Sequence, residues 1–395
     1  MSAPWWAGNG LACGRDGLTI GGHPVSELAR DHGTPLYVYC KQSVREHLTR
    51  LRAALATWGV KTQIYYAMKA NRFAPILQVI RAEGDVGIDA CSPREAALAL
   101  EQGFRPDEIS VTASMLSNRD LDAFAELGVH LNLDSLSALR RYGARVDAGT
   151  TVGLRVDAAV EVGYGSSPKL AYGNSKFGFE HDALDAAVEA AVAAGLVVTT
   201  LHVHCGWGLQ MNALDRISWV FEKMARFAGR YPSVRRVNVG GGLASRRART
   251  DDPLVIEAWA AAVKRHLAPL GLTLACEPGT LLVDEAGILV VEVNTVALKA
   301  GTHWVGVDAG HNVNVYMAHY GIPIEIAHVA RPDARPDHRY SVAGNINESN
   351  DVFARDAALP EVREGDLLAL LPAGAYGAVM ASDHCMRGFP AEVAV

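Results

Sequence analysis

Nothing in the cysteine pattern of this chain suggests a metal centre or a disulfide framework. The six cysteines, at positions 13, 40, 91, 205, 276 and 385, are scattered without paired spacing. The expectation is no metal site and reduced thiols, as in a cytoplasm. A positive excess is also missing. A net charge of −6 and a pI near 6.2 leave no basic footprint, so nucleic acid is not an expected partner. No apolar run approaches a membrane span, so no membrane is expected either. The opening Met1-Ser2-Ala3-Pro4-Trp5-Trp6 has neither a charged n-region nor an apolar h-region, and no signal peptide is expected. Low-complexity tracts are absent.

What is present is a long chain of globular make-up. Its 395 residues exceed one ordinary core, so two domains are expected. Hydrophobic residues are 49% and charged residues 20%, which suits a globular enzyme and excludes a disordered chain.

The middle of the chain alternates regularly. Short apolar or β-branched runs fall at 61–68, 86–90, 109–113, 130–134, 151–156, 198–204, 236–239 and 272–276. Between them lie helical stretches, including Pro93 to Leu100, Asn118 to Leu127 and His181 to Ala194. Ser92 before Pro93 and Glu95 has the pattern of an N-cap, a first-turn proline and a helix-favouring carboxylate. Eight such pairs predict an α/β fold with a (β/α)8 TIM barrel; a doubly wound open sheet is the alternative. After about residue 288 the helical rhythm stops, and 288–293, 304–307, 323–326, 367–371 and 391–395 read as strands. Parts of 17–40 read the same way. The expected division is a barrel over 37–288 and a β-rich domain built from 1–36 and 289–395.

Barrel enzymes carry their chemistry at the C-terminal ends of strands, and the notable residues fall there. Lys69 ends the first strand. A lysine in that position is costly unless solvated, paired or used, for example in a Schiff base with the aldehyde of pyridoxal phosphate. It also reads as a lysine emerging into a loop. Asp89 ends the second strand, where it can equally cap the next helix. His204 ends the sixth; it reads as a core histidine or as a flat ring to stack on a pyridine. Gly240-Gly241-Gly242 follows the seventh, as a tight turn or a phosphate cradle. Glu277-Pro278-Gly279 follows the eighth. Glu277 is either a buried, paired carboxylate or the partner of a pyridine nitrogen, which it would keep protonated.

Together these stretches resemble the alanine-racemase-type (fold type III) pyridoxal enzymes, in the branch of diaminopimelate, ornithine and arginine decarboxylases. The resemblance runs from Tyr65 to the C-terminus. It includes Ser175-Lys176-Phe177-Gly178, His202 to Gly206, Asn238 to Gly242, Val307-Asp308-Ala309-Gly310 and Glu348-Ser349-Asn350-Asp351. Gly374 to Met380 and Pro390 to Val393 are most similar to diaminopimelate decarboxylases. The resemblance implies a pyridoxal 5'-phosphate enzyme that decarboxylates an amino acid. It implies that Lys69 carries the cofactor, His204 stacks on its ring and Glu277 pairs with its nitrogen. Asp89 belongs to the same site, and Gly240, Gly241, Gly242, Gly279, Thr280 and Tyr376 would lie around the phosphate. It implies a homodimer in which Asn347 and Glu348 come from the partner chain.

Four positions depart from the family pattern. Asn347 stands where the family has a proton-donating cysteine; Lys69, a water, Cys385 or His384 would have to replace it. Thr280 stands where arginine often follows Glu-Pro-Gly. No arginine occurs in Asn312-Val313-Asn314-Val315-Tyr316-Met317, and Trp207 replaces a serine. Two missing charge-assisted contacts to a distal carboxylate cost on the order of 1.5–3 kcal/mol each, which argues for a remodelled pocket and a modified or non-standard amino acid. A pyridoxal racemase or epimerase and a non-catalytic pseudoenzyme are the alternatives.

Overall fold

The structure, a computed structural model, describes residues 4–165 and 175–395. Four short strands come first: β1 (Leu11–Gly14), β2 (Gly17–Ile20), β3 (His23–Pro24) and β4 (Leu36–Tyr39). Eight then form the barrel: β5 (Thr62–Ala67), β6 (Val86–Ala90), β7 (Ile109–Thr112), β8 (His130–Leu133), β9 (Thr151–Val156), β10 (Val197–Val203), β11 (Arg236–Asn238) and β12 (Thr273–Cys276). Every neighbouring pair is parallel, and β12 returns to β5 with Leu274 opposite Thr62, so the sheet closes. Closure rules out the open-sheet alternative. The expected runs and the observed strands agree to within about two residues, because each run is β-rich and bounded by turn or helix-start residues.

Some of the helices begin at capping serines. Ser92 Oγ accepts from the Glu95 N–H at 3.2 Å and Glu95 reaches back to the Cys91 N–H at 2.7 Å. Ser117 and Asp120 form a reciprocal capping box on Asn118–Leu127, and Gly128 at φ 65° ends that helix. The expected helix from His181 begins as a 3₁₀ turn and becomes α-helical over Leu184–Ala193.

Beyond the barrel lie β13 (Gly287–Lys299), β14 (Thr302–Val307), β15 (Glu325–His328), β16 (His338–Ala343), β17 (Val352–Leu359), β18 (Leu367–Leu371) and β19 (Ala391–Ala394). The order is β15-β18-β13-β14-β16-β17, and β4 lies between β13 and β19. The expected boundaries cut through this sheet. Residue 37 falls inside β4 and residue 288 inside β13, and the two strands pair with each other, Val38 opposite Ile288. The strand expected at 323–326 is displaced to Glu325–His328, since Pro323 has no N–H for the ladder. Strands β16 and β17 were not anticipated. Their exposed faces carry His338, Arg339, Arg355 and Asp356, which break up the apolar signal.

Two cores result. One fills the barrel and the space beneath its helices. The second packs Leu18, Ile20 and Val25 against Val38, Ile288, Val290 and Leu371, so the N-terminal segment lies on the β-rich sheet.

Candidate active site

The C-terminal rim of the barrel holds a cavity of about 320 Å³ lined by Lys69, Thr112, Arg155, Lys176, His204 and Glu277, among others. Lys69 lies two residues past β5, in a turn closed by Ala70 N–H to the Ala67 carbonyl. Its Nζ meets Asp89 Oδ2 at 2.5 Å. The Asp89 carboxylate, from β6, is wholly buried, and its Oδ1 has no partner. Asp89 therefore points at Lys69 and does not cap the following helix; Ser92 does that. Burial works against the Lys69 charge, but Asp89 outweighs it and holds the ammonium above the ordinary lysine range. Burial, with the Glu277 charge nearby, pushes the Asp89 carboxyl up to about 7.

Glu277 lies just past β12 and is 5% exposed. Its Oε2 accepts from His202 Nε2 at 2.9 Å, and its Oε1 accepts from Asn238 Nδ2 at 2.7 Å and from Thr112 Oγ1 at 3.3 Å. Burial would raise its carboxyl, yet the His202 imidazole outweighs burial and holds it down at about 2. The carboxylate is thus ionised throughout the neutral range. His204, one residue past β10, accepts the Gly241 N–H on Nδ1 at 3.2 Å. Burial, with Arg155 and Lys69 beside it, pushes its imidazolium down to about 3, so the ring is neutral.

The glycines permit close backbone approach. A Cβ at Gly241 would stand 2.3 Å from the Glu277 carbonyl oxygen, and one at Gly242 would stand 2.4 Å from the Gly206 carbonyl oxygen. Gly240 and Gly242 also have φ of +67° and +101°. Not all of their N–H groups point outward: Gly240 donates to Asn238 Oδ1 at 2.9 Å and Gly241 to His204. Gly279 faces Ala67 and Ala70, where a Cβ would come within 3.2 and 3.0 Å. Tyr376, at φ 60°, donates its N–H to the Ala70 carbonyl at 2.7 Å and stacks on Tyr316 at 5.0 Å, which ties it to the Lys69 turn.

Two of the unusual positions have found each other. Trp207 Nε1 donates to Thr280 Oγ1 at 2.9 Å. Behind them Arg247, 2% exposed, pairs with Asp284 at 2.6 Å and lies 6.0 Å from the Trp207 ring. Asn347 and Glu348 are elsewhere in the chain. Both are exposed, and Glu348 lines a separate cavity of about 370 Å³ with His311 and His384. Within one chain they are not at the Lys69 cavity.

Sequence reasoning missed His202, Asn238, Thr112 and Arg155. The signal for His202 was available: two residues before His204 on one strand, it shares the inward face. Arg155 lies 4.2 Å from the Phe177 ring, so the Ser175-to-Gly178 stretch bears on the cavity wall. Among the described residues no cluster suited to a metal ion occurs, and no helix is long and apolar enough to cross a membrane.

These residues fit pyridoxal phosphate. The cavity offers an amine, an ionised carboxylate for a pyridine nitrogen and a neutral ring, and a glycine turn abuts that ring through Gly241. The comparisons agree. A family model described as "Pyridoxal-dependent decarboxylase, pyridoxal binding domain" matches residues 41–284. The diaminopimelate decarboxylase of Methanothermobacter thermautotrophicus is 35% identical over 96% of this chain and 90% of its own. That of Escherichia coli K12 is 32% identical over 93% of this chain and 90% of its own. The crystal structure of Helicobacter pylori diaminopimelate decarboxylase with L-lysine aligns with a TM-score of 0.86, at 27% identity, over 94% of this chain and 93% of that one. These matches favour decarboxylation over the racemase and pseudoenzyme alternatives. The chain belongs to the pyridoxal-dependent decarboxylase family and is an enzyme that releases carbon dioxide with pyridoxal phosphate as its cofactor.

Proposed function

We propose that the Lys69 cavity decarboxylates an α-amino acid and that its substrate end has been rebuilt relative to the diaminopimelate decarboxylases. The observation that carries this reading is the shared opening of Lys69 and a Glu277 ionised at neutral pH into one cavity.

Pyridoxal phosphate, when bound, supplies the aldehyde that takes the substrate amine and the ring that accepts the electron pair as carbon dioxide departs. The protein supplies protons, charge and shape. Lys69 must lose its proton to react as an amine, and Asp89 Oδ2, 2.5 Å away, is placed to receive it. Glu277 keeps a ring nitrogen protonated, and His202, Asn238 and Thr112 fix its two oxygens. His204 offers a neutral flat face that adds no competing charge. Gly242, Gly279, Thr280 and Tyr376 are assigned to the phosphate end, with Gly240 and Gly241 shaping the turn. Asn347 is no acid, so Lys69, recharged through Asp89, returns the proton to the α-carbon.

The working unit in this reading is a homodimer in which the Asn347–Glu348 segment of one chain completes the Lys69 cavity of the other. Its exposure and its separate cavity support that role. Six unpaired thiols suit a reducing, cytoplasmic setting. Trp207 fills space beside Thr280, whose hydroxyl already accepts a hydrogen bond, and neither brings the positive charge a distal carboxylate calls for. A modified or non-standard amino acid is the proposed substrate class. The test is a mass-spectrometric assay of the cofactor-loaded enzyme with meso-diaminopimelate. Little or no lysine, beside an intact visible absorbance of the bound cofactor, is expected. Rapid lysine formation would refute the rebuilt pocket.

A further inference from the structure

Of the three side chains that donate to Glu277, Thr112 stands furthest away, at 3.3 Å, and its donor alone is free to turn. A hydroxyl has one proton and two acceptor positions, and it rotates to suit its neighbours. Asn238 is fixed by other means: its Oδ1 accepts the Gly240 N–H at 2.9 Å, which turns its amide nitrogen towards Glu277. What fixes Thr112 is Asn132 of β8, a residue 1% exposed that does not line the Lys69 cavity.

Strand register brings these groups together. Thr112 of β7 lies opposite Asn132 of β8, and Asn132 lies opposite Gly153 of β9. Thr112 faces the cavity, so the row points into the barrel. Asn132 Nδ2 donates to Thr112 Oγ1 and to Ser110 Oγ, each at 3.0 Å. Two neighbours decide which edge of the amide faces Thr112. The Val111 carbonyl can only accept, so the group 3.3 Å from it is the NH2. On the other edge, Oδ1 has no hydrogen-bond partner among the described residues and packs on Gly153, where a Cβ would stand 2.1 Å from it. Glycine leaves a Cα–H edge there, which suits an oxygen and repels an N–H.

Asn132 thus fills one acceptor position of the Thr112 hydroxyl. The remaining proton points to Glu277 Oε1, and a hydroxyl that accepts one bond donates the next more strongly. Each donor on the buried Glu277 carboxylate stabilises its charge and lowers its basicity. A less basic carboxylate leaves a shared proton on the ring nitrogen. We propose that Asn132 is a positioning residue for the decarboxylation: by donating to Thr112 it commits that hydroxyl to Glu277 and so helps to keep the cofactor's ring nitrogen protonated. The inference rests on the reading of Glu277 as the partner of that nitrogen.

The experiment loads the enzyme with pyridoxal phosphate labelled with 15N in the ring and reads the nitrogen chemical shift at neutral pH, which separates pyridinium from pyridine. Glu277→Gln tests the underlying reading and is expected to move the line to the pyridine position. A line that stays put there would overturn that reading and this one with it. Asn132→Leu removes the donor and keeps most of the side-chain outline. It is expected to move the line part of the way and to lower kcat about five-fold with KM within about two-fold. Thr112→Val is expected to move the line in the same direction. Adding Asn132→Leu to Thr112→Val should move it no further, because the hydroxyl through which Asn132 acts is gone. Thr112→Ser keeps the hydroxyl and is expected to hold the line near the parent position. Asn132→Ala, expected to shift the line in the same sense, is the second probe if Asn132→Leu does not fold. With Glu277→Gln behaving as expected, a line unmoved by loss of the Asn132 amide would overturn the role of Asn132 and leave Glu277 in place. An equal shift with and without the Thr112 hydroxyl would do the same.

Discussion

Glu277 is held ionised by a neighbour that lies 75 residues away in the chain, and this makes His202 a positioning residue with a measurable signature. His202→Ala removes the 2.9 Å bond and leaves a carboxylate that burial disfavours. The Glu277 carboxyl then moves up, so its charge is lost at a higher pH as the solution is acidified. The acid limb of the kcat profile should shift to higher pH; a limb that stays in place would remove His202 from this role. In the parent enzyme the same linkage gives a stability contribution that is full above the ordinary glutamate range. It is lost only as the pH falls towards about 2. The Lys69–Asp89 pair gives the opposite sign. Asp89→Asn takes away the carboxylate that holds the ammonium up, and burial then lowers it. The rate at which the apoprotein takes up pyridoxal phosphate, seen as growth of visible absorbance, should have its pH midpoint moved down. At this scale the residues legible beforehand were those whose position alone is informative: Lys69, His204 and Glu277 at strand ends. Thr112 and Asn238 were illegible because a long-range hydrogen bond leaves no local mark, whereas His202 was marked by its spacing of two from His204. Trp207 and Thr280 were each visible as unusual, but their contact was not.

Elements carry the site only if their ends meet closely, and the turn after β11 is one such close meeting. Gly241 lies against the backbone of Glu277, and a methyl group there would stand 2.3 Å from its carbonyl oxygen. Gly241→Ala must therefore push β11 away from β12, carrying the His204 contact and the Glu277 carboxylate with it. Cofactor affinity should fall on the order of ten-fold, about 1.4 kcal/mol, while far-ultraviolet circular dichroism stays near the parent. Fluorescence titration of the apoprotein with pyridoxal phosphate measures it, and an unchanged dissociation constant would show that the turn absorbs the methyl group. The eight barrel strands were legible because parallel strands buried on both faces read as continuous apolar runs. The β-rich sheet was legible only in part. Its central strands, β18 and the first half of β13, are buried and apolar, whereas β16 and β17 expose one face, and charge there hides the period. Strand β4 was mis-divided because pairing with β13 and β19 is set by contacts some 250 residues or more away in the chain.

For the whole molecule, the decisive question is whether Glu348 serves its own Lys69 or that of a second copy. In one chain Glu348 meets His384 at 3.2 Å beside a cavity that does not include Lys69. A site built within a single chain and a site shared between two chains make different predictions for a mixture of defective variants. Lys69→Ala removes the amine and Glu348→Ala removes the carboxylate, so each variant alone should show little turnover. Mixed in equal amounts and allowed to exchange, half of all dimers contain one chain of each kind. If the site is shared, each mixed dimer has one doubly defective site and one intact site, so about a quarter of parent activity should return. If the site lies within one chain, every site keeps a defect and mixing restores nothing. The recovered rate should also fall on dilution as dimers dissociate, which separates subunit sharing from contamination by parent enzyme. Recovery near a quarter, with that concentration dependence, would establish Glu348 as a residue of the neighbouring subunit's active site; none would return the Asn347–Glu348 segment to its own chain.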